Sequence, residues 1–214
     1  MKIAVVDCGS GNLRSVNRAL ERVAADAGIQ AQVEIVQQPE GVLAADRLVL
    51  PGQGAFASCL AGLTRAEGLS EAMEEAVCTK GRPFLGICVG MQLLADIGEE
   101  HGQHAGLGWI PGRVVALHPS EPTLKVPHMG WNSLHLSEPQ HPVLANLPDD
   151  PHVYFTHSYQ MVCDRAEDCL AMTEYGGPVT AAVGRDNIIG TQFHPEKSQA
   201  VGLALLTNFL RWSP

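Results

Sequence analysis

The sequence predicts an α/β fold: a mostly parallel central sheet with helices on both faces, plus an added layer of β-hairpins. The first half of the 214 residues alternates short apolar runs with longer amphipathic runs, as in parallel strands connected by helices. The second half changes to short β-like runs broken by prolines. Because no repeat, low-complexity segment or linker divides the chain, we expect a single domain spanning residues 1–214.

Each helix and strand of the first half is predicted from the residue pattern of its own segment. Short runs rich in apolar and β-branched residues predict strands, and apolar residues at helical spacing predict helices. The expected strands are Lys2–Val6, Gln32–Val36, 47–50 and 83–87. The expected helices are 13–27, 56–63, 69–80 and 89–95. Ligands of such sheets bind beyond the carboxyl ends of the strands, so a site is expected in the loops that follow them.

The elements of the second half are predicted from prolines and turn residues. Prolines recur through residues 109–175, which favours short hairpins over long helices. Residues 179–183 and 188–193 flank a polar, glycine-containing turn and are typical of a β-hairpin. Residues 199–212 have the pattern of an amphipathic helix that closes the fold.

A glycine-containing loop, Gly9-Ser10-Gly11-Asn12, follows the first expected strand. It lacks the third glycine of a dinucleotide-binding loop, and no phosphate-binding loop with Gly-Lys-Ser/Thr occurs in the chain. We interpret the segment as a turn in which Ser10 or Asn12 caps the first helix.

The segment Gly86-Ile87-Cys88-Val89-Gly90-Met91-Gln92 has the form of a nucleophile elbow. Glycines two residues before and after Cys88 permit a sharp strand-to-helix turn that exposes the nucleophile. The first N–H groups of the following helix favour a thiolate and offer a donor to an oxyanion. A cysteine packed in the core between two glycines is the alternative.

A base for this thiol is found near the end of the chain, in Phe193-His194-Pro195-Glu196. A thiol nucleophile needs a base, and the base needs a third group that sets its orientation. His194 and Glu196 are two residues apart at an expected strand end, so their side chains can point to the same side. We therefore predict a catalytic triad of Cys88, His194 and Glu196.

The third motif is Pro51-Gly52-Gln53-Gly54, directly after the expected strand 47–50. Its glycines can adopt positive φ and turn backbone N–H groups inward, which suits an oxyanion hole. A tight turn between a strand and a helix explains the same residues equally well. The predicted donors are the N–H of Val89 and one from the Gly52–Gln53 turn.

Taken together and in this order, the three motifs resemble the class I (triad-type) glutamine amidotransferases. Further segments resemble, within that family, the glutaminase subunits of imidazole glycerol phosphate synthases. These segments are 7–16, 106–112, Val126-Pro127-His128-Met129-Gly130-Trp131-Asn132 and Tyr154-Phe155-Thr156-His157-Ser158-Tyr159. The resemblance extends from about residue 3 to residue 210. In this family an aromatic residue is usual at position 8, and valine is frequent at position 53, where this chain has Cys8 and Gln53.

The resemblance implies hydrolysis of L-glutamine to glutamate and ammonia, with Gln92 among the groups that contact glutamine. It also implies that the ammonia passes to a separate cyclase subunit of β/α-barrel type, in a heterodimer. That partner would form imidazole glycerol phosphate and an aminoimidazole carboxamide ribotide in histidine biosynthesis. The residues implied at or near the interface are Asn12, His128, Trp131, Tyr154 and Lys197.

Two other functions fit the same residues. A stand-alone γ-glutamyl or peptide hydrolase would use the same triad without a partner. A noncatalytic binding subunit would keep the architecture but would be expected to lack a triad residue, and none is missing.

Composition limits the remaining classes of function. The formal net charge of −9 disfavours nucleic acid or an anionic membrane surface as a partner. The six cysteines show no paired spacing and are expected to be reduced thiols in the cytoplasm. We expect no metal or cofactor, because His101 and His104 lie in a glycine-containing loop that would position ligands poorly.

Overall fold

A computed structural model describes every residue from Met1 to Pro214. In chain order, the strands are β1 (Lys2–Val6), β2 (Gln32–Val36), β3 (Arg47–Gly52), β4 (Phe84–Cys88), β5 (Ile97–Gly98), β6 (His104–Ala105), β7 (Gly112–Ala116), β8 (His128–Ser133), β9 (His135–Leu136), β10 (His152–His157), β11 (Tyr159–Cys163), β12 (Cys169–Glu174), β13 (Pro178–Arg185) and β14 (Ile188–Thr191).

The α-helices are α1 (Leu13–Asp26), α2 (Pro39–Leu43), α3 (Phe56–Arg65), α4 (Leu69–Glu74), α5 (Val89–Gln92) and α6 (Gln199–Arg211). A π-helical turn, Glu75–Thr79, continues α4. Short 3₁₀ turns occur at Pro142–Leu144, Ala166–Asp168 and Pro195–Lys197.

The central sheet has eight strands in the order β2-β1-β3-β4-β14-β13-β12-β9. The first five of these are parallel to one another, and the last three are antiparallel additions at one edge. The fold class expected from the sequence, α/β with a mixed, mostly parallel sheet, is confirmed. The hairpin layer does not all join this sheet, because β8 and β10 form a two-stranded ribbon and β11-β7-β5-β6 form a third sheet.

The register of the central strands brings the three sequence motifs to one edge of the sheet. Gly52 at the end of β3 lies opposite Cys88 at the end of β4. On the other side of β4, Thr191 at the end of β14 pairs with Ile87. Since β3, β4 and β14 are parallel neighbours, the loops that follow them converge at the carboxyl end of the sheet.

The core explains why the central strands have continuous apolar sequences. Every residue of β4 is buried, and so is all of β3 after Arg47. Strands covered by helices on both faces cannot alternate apolar and polar residues. A contiguous cluster of 54 buried residues includes residues from the central sheet, the helices, and β7, β10 and β11 of the two smaller sheets, so both halves of the chain contribute to one core.

The helix expected at 89–95 is shorter in the structure. It ends as α5 at Gln92, and Leu94 and Ala95 then make i→i−3 hydrogen bonds. The carbonyls of residues 93–95 instead accept N–H groups from residues 107–109. Residues 107–109 therefore donate the hydrogen bonds that a further helical turn would have supplied. Because these residues are distant in sequence, the local pattern could not predict the pairing.

Two other helical segments differ from expectation. The helix expected at 69–80 is α4 followed by the π-helical turn Glu75–Thr79. The five-residue α2 was not predicted, because proline and glycine, here Pro39 and Gly41, usually mark the loops between elements. In the structure Pro39 occupies the first helical turn, where an N–H group would have no helical partner, so its absence costs nothing. No helix of the protein combines the length and apolarity needed to cross a bilayer.

Candidate active site

Cys88 occupies a strained turn between β4 and α5. Its backbone has φ 56° and ψ −111°, a conformation that costs a non-glycine residue about 1–3 kcal/mol. The flanking glycines leave no space for a side chain. A Cβ on Gly90 would lie 1.9 Å from the Leu50 carbonyl oxygen, and a Cβ on Gly86 would lie 2.6 Å from the Gly90 carbonyl oxygen. The elbow expected from the two glycines is therefore present, and the packing explains both of them.

His194 and Glu196 are in contact, although not for the reason that the sequence suggested. Strand β14 ends at Thr191, and the segment then enters the 3₁₀ turn Pro195–Lys197. This turn, rather than strand alternation, brings His194 Nδ1 to 3.0 Å from Glu196 Oε1. Both side chains are at least 97% buried, with exposures of 3% and 1%. The strand-end explanation was wrong, but the expected pairing of the two side chains is present.

The backbone of His194 is anchored to β10 of the two-stranded ribbon. Its N–H donates to the Tyr154 carbonyl oxygen at 3.0 Å. Its own carbonyl oxygen accepts from the hydroxyl of Ser198 at 2.7 Å, and that hydroxyl accepts from Tyr154 N–H at 3.0 Å. The imidazole is thus held by the central sheet on one side and by β10 on the other.

The electrostatic setting of His194 favours its protonated form. Burial lowers the pKa of the imidazole, but interactions with the Cys88 thiol and the Glu196 carboxylate outweigh burial and raise the pKa to about 9. The ring atom Nε2 is buried and makes no hydrogen bond of ordinary geometry. This leaves Nε2 available to the thiol, which is close enough to be one cause of the raised pKa.

Cys88 and His194 line one cavity of about 350 Å³ at the carboxyl edge of the sheet. This volume is within the range of small-molecule sites. The cavity is lined mostly by polar residues and holds one carboxylate, Glu100, and one ammonium group, Lys197. Other lining residues include Gln53, Gly54, Val89, Gln92, Thr156 and Tyr159.

The loop after β3 lies against the elbow. A Cβ on Gly52 would lie 2.8 Å from the Gly90 nitrogen and 2.9 Å from the Val89 Cβ, so this glycine is required for close packing. Gln53 is exposed and lines the cavity, and Gly54 has φ +82°. The three predicted oxyanion residues, Gly52, Gln53 and Val89, are therefore neighbours around Cys88.

Two buried cysteines, Cys8 and Cys59, contact the backbone carbonyls of this loop. The Cys59 thiol donates to the Gln53 carbonyl oxygen at 3.2 Å and contacts the Ser10 hydroxyl at 3.0 Å. The Cys8 thiol lies 3.5 Å from the Pro51 carbonyl oxygen. Cys8, where the family usually has an aromatic residue, therefore makes a polar contact with the loop backbone.

Gln92 is buried beside the nucleophile, and its donor capacity is used within the protein. Its amide nitrogen donates to the Tyr159 carbonyl oxygen at 3.1 Å and to Gln192 Oε1 at 3.0 Å. An amide nitrogen has two hydrogens, so only the carbonyl oxygen of Gln92 remains for a ligand.

Glu100 is a site residue that the sequence interpretation missed. One carboxylate oxygen accepts from the Phe56 N–H at 2.7 Å, at the start of the ten-residue helix α3. The carboxylate thus gains both a hydrogen bond and the positive end of a helix dipole. Phe56 and Glu100 are 44 positions apart in the sequence, so no local pattern could have distinguished Glu100 from the solvated loop around it.

Three of the five predicted interface residues form a cluster. Trp131 and Tyr154 meet edge to face at 6.0 Å, and Lys197 Nζ lies 5.8 Å from the Tyr154 ring. Trp131 is 48% exposed and the neighbouring Met129 is 63% exposed, which gives the two-stranded ribbon an apolar outer surface. Asn12 is the N-cap residue of α1, but its side chain makes no capping hydrogen bond, so the side-chain cap expected at Asn12 is absent.

His128, the fifth of these residues, is 2% exposed and lies behind this surface. Its Nδ1 is 3.0 Å from His157 Nε2, and His157 Nδ1 donates to the Tyr159 carbonyl oxygen at 2.8 Å. Because a carbonyl only accepts, His157 offers Nε2 as an acceptor and His128 donates to it. Burial lowers the pKa of both imidazoles to about 4, so the pair is neutral near pH 7.

The fold and the site geometry define a class of protein, and comparison with known sequences agrees. Residues 4–212 match the family described as glutamine amidotransferase class-I. The chain belongs to this family.

Two relatives, both called imidazole glycerol phosphate synthase subunit HisH, match over the whole of each chain. The protein of Rhodospirillum rubrum is 56% identical over 214 residues, with 100% of both chains covered. That of Rhizobium meliloti is 54% identical over 217 residues, again with 100% of both covered. A crystal structure of a glutamine amidotransferase from Thermotoga maritima superposes with a TM-score of 0.69 at 15% identity, covering 99% of this chain and 96% of that one. The resemblance in the sequence motifs is thereby confirmed.

Proposed function

We propose that the chain hydrolyses L-glutamine to glutamate and ammonia by means of Cys88, His194 and Glu196. The observation that carries this proposal is the convergence of Cys88 and His194 in one cavity, with Glu196 3.0 Å from the far side of the imidazole. A nucleophile, a base and an orienting carboxylate in this order are the components of triad catalysis.

In the first half-reaction the sulfur of Cys88 attacks the side-chain amide carbon of glutamine. His194 holds the thiol proton and transfers it to the departing nitrogen as the C–N bond breaks, so ammonia and a γ-glutamyl thioester are formed. The pKa of about 9 keeps His194 protonated at neutral pH, as this step requires. Glu196 holds Nδ1–H and stabilises the imidazolium.

In the second half-reaction a water molecule attacks the thioester carbonyl. His194 accepts a proton from this water, the C–S bond breaks and the sulfur leaves as a thiolate. Glutamate is released, and the starting pair of Cys88 thiolate and His194 imidazolium is restored. Both tetrahedral intermediates carry an oxyanion, for which we assign the N–H of Val89 and an N–H of the Gly52–Gln53 turn. Loss of one such donor costs on the order of 10²–10³ in rate.

The polarity of the cavity supports glutamine as the substrate. Glutamine carries an α-ammonium group, and Glu100 is the one carboxylate that lines the cavity. We assign Glu100 to the α-ammonium group and the Gln92 carbonyl oxygen to the substrate amide.

We propose further that the ammonia is delivered to a separate cyclase subunit of β/α-barrel type in a heterodimer. This partner would make imidazole glycerol phosphate and aminoimidazole carboxamide ribotide for histidine biosynthesis. The support is full-length identity of 56% and 54% to two subunits of that synthase, together with the exposed Met129 and Trp131. The six free thiols fit a reducing compartment, and we place the reaction in the cytoplasm.

Ammonia release from glutamine tests the catalytic part of the proposal. We expect Cys88→Ala to lose roughly 10³-fold or more of the activity. Cys78→Ala is the matched control, because Cys78 is an exposed cysteine outside the cavity, and it should keep wild-type turnover. Equal turnover by Cys88→Ala and wild type would exclude Cys88 as the nucleophile.

The partner is tested by adding the cyclase subunit. We expect a 1:1 complex in which glutamine supports cyclase product formation as a nitrogen donor at neutral pH. Glutaminase activity that is equally high with and without the cyclase would favour a stand-alone hydrolase instead. Lack of any activity under both conditions would favour a noncatalytic subunit.

A further inference from the structure

The side-chain amide of Gln192 contacts the sulfur of Cys88 and has no part in the mechanism above. The side chain of Gln192 is fully buried, with 0% exposure. Its Nε2 lies 3.7 Å from Cys88 Sγ, within hydrogen-bond range for sulfur. Its backbone N–H donates to the Ala181 carbonyl oxygen at 2.8 Å, which fixes the residue to β13.

The hydrogen-bond network determines which end of this amide faces the sulfur. The Tyr159 carbonyl oxygen can only accept, so Gln92 must present its nitrogen there. The second hydrogen of that nitrogen is donated to Gln192, which must therefore present its oxygen to Gln92. The nitrogen of Gln192 is left to face Cys88, so a backbone carbonyl fixes the orientation of both buried amides.

We propose that Gln192 is a further catalytic residue, which donates a hydrogen bond to the Cys88 sulfur and stabilises its thiolate. This deepens the proposed function and rests on it. A donor to an anion forms a bond about twice as strong as a donor to a neutral group. A fully buried amide also loses none of that strength to competing water.

The contact acts at two points of the reaction. Before attack it stabilises the thiolate that remains once His194 holds the thiol proton. In the thioester the sulfur is uncharged and accepts weakly. When the thioester breaks down, the sulfur leaves as a thiolate, and the same N–H stabilises the developing charge.

The pH dependence of Cys88 alkylation by iodoacetamide tests the proposal on the full chain. Mass spectrometry of the Cys88 peptide separates its alkylation from that of the other five cysteines. For Gln192→Met, which removes the donor without adding charge, we expect the alkylation midpoint to rise by about one pH unit. For Gln192→Glu, which keeps an acceptor for Gln92 but places a carboxylate at the sulfur, we expect a larger rise.

The matched control is Thr191→Val. Thr191 is also fully buried, and its hydroxyl donates to the Phe193 carbonyl oxygen at 3.0 Å. This variant removes a buried polar group one residue away and should leave the midpoint unchanged. Gln192→Met and Thr191→Val leave the ionisable groups around Cys88 unchanged, which are His194 and Glu196, with Glu100, His157 and Lys197 along the cavity. Gln192→Glu adds one carboxylate to them.

An unchanged midpoint in Gln192→Met would overturn the proposal, and so would an equal rise in Thr191→Val. If Gln192→Met does not fold, Gln192→Leu, which also removes the donor without adding charge, supplies the same decision. A raised midpoint without loss of glutaminase kcat/KM would also contradict a catalytic role. Because alkylation needs no glutamine, this readout is independent of the proposed function, which fails instead if Cys88→Ala keeps wild-type ammonia release.

Discussion

At the scale of single residues, backbone strain singles out Cys88. Six non-glycine residues have positive φ, and five of them are exposed while Cys88 is buried. An exposed loop tolerates such a conformation, whereas a buried one must be held by its surroundings. The close packing of Gly86, Gly90 and Gly52 around the elbow supplies that constraint. The strain directs the sulfur toward the cavity that it shares with His194.

The pKa of His194 makes a specific prediction for Glu196→Gln. A group is protonated below its pKa, so wild-type kcat/KM should fall as the pH rises through about 9, where His194 loses the proton that ammonia departure needs. Because Glu196 is one of the groups that raise this pKa, the amide variant should lose activity at a lower pH. We also expect kcat to fall by on the order of 10²–10⁴.

The measurement is the pH profile of kcat/KM for glutamine hydrolysis. Glu167→Gln is the control, because Glu167 is an exposed carboxylate paired with Arg165 away from the cavity. An alkaline limb at the same pH in Glu196→Gln and wild type would contradict the assigned role of Glu196.

At the scale of elements, the strand–turn–helix of the elbow depends on Gly90. A methyl group there would overlap the carbonyl oxygen of Leu50 on the neighbouring strand. We expect Gly90→Ala to lower the free energy of unfolding by roughly 3 kcal/mol or more. A methyl group at Gly81 would meet no heavy atom within 4 Å, so Gly81→Ala adds only the strain of the positive φ of +65°. We expect it to lower the free energy of unfolding by about 1 kcal/mol. Urea denaturation of both variants gives the comparison, and equal losses would show that the elbow can relax around a side chain.

The two-stranded ribbon of β8 and β10 carries a second prediction. The buried His128–His157 pair has folded pKa values near 4, below the ordinary value of 6.5. Between these values the unfolded chain binds more protons, so the free energy of unfolding should fall as the pH drops from about 6.5 toward 4. His128→Phe keeps the stacking between Phe155 and Tyr175 and removes one titrating ring.

Urea denaturation at pH 6.5 and pH 5 tests this prediction. We expect a smaller acid-induced loss of stability in His128→Phe than in wild type. His135→Phe removes an exposed histidine of β9 and should behave like wild type. If His128→Phe loses as much stability on acidification as wild type, burial of this ring is not the source of the pH dependence.

The local sequence predicted the strands that are determined by runs of apolar residues. β1 and β2 match the expected bounds, and β3, β4, β13 and β14 differ from theirs by one or two residues at an end. For β1, β3 and β4 the reason is that buried parallel strands are continuous apolar runs. The end of α5 at Gln92 was mispredicted because residues 107–109 take over its carbonyls. Glu100 was missed for the same reason, since its partner Phe56 belongs to another element. What the sequence did not reveal is consistently a contact between distant segments.

At the scale of the whole molecule, the outer face of the ribbon is expected to bind the cyclase partner. Trp131 is 48% exposed and packs on Tyr154, whose ring lies 5.8 Å from Nζ of the cavity residue Lys197. Partly exposed aromatic side chains often dominate interfaces. We predict that Trp131→Ala weakens the complex at least about tenfold while the isolated chain keeps its stability. Ile35→Ala is the matched control, because Ile35 is 43% exposed on β2 at the far edge of the central sheet.

Isothermal titration of each variant with the cyclase subunit measures the effect. Equal affinities for Trp131→Ala and wild type would place the interface elsewhere, and a loss in Ile35→Ala would place it at the β2 edge.

The covalent intermediate is the most direct test of the central claim that Cys88, His194 and Glu196 act together at the carboxyl edge of the sheet. The measurement is peptide mass spectrometry of the protein after acid quenching during turnover of glutamine. The account predicts a γ-glutamyl adduct on Cys88, which accumulates when deacylation is slowed by Glu196→Gln. An adduct on a different residue, or continued ammonia release with no adduct on Cys88 in either protein, would contradict it.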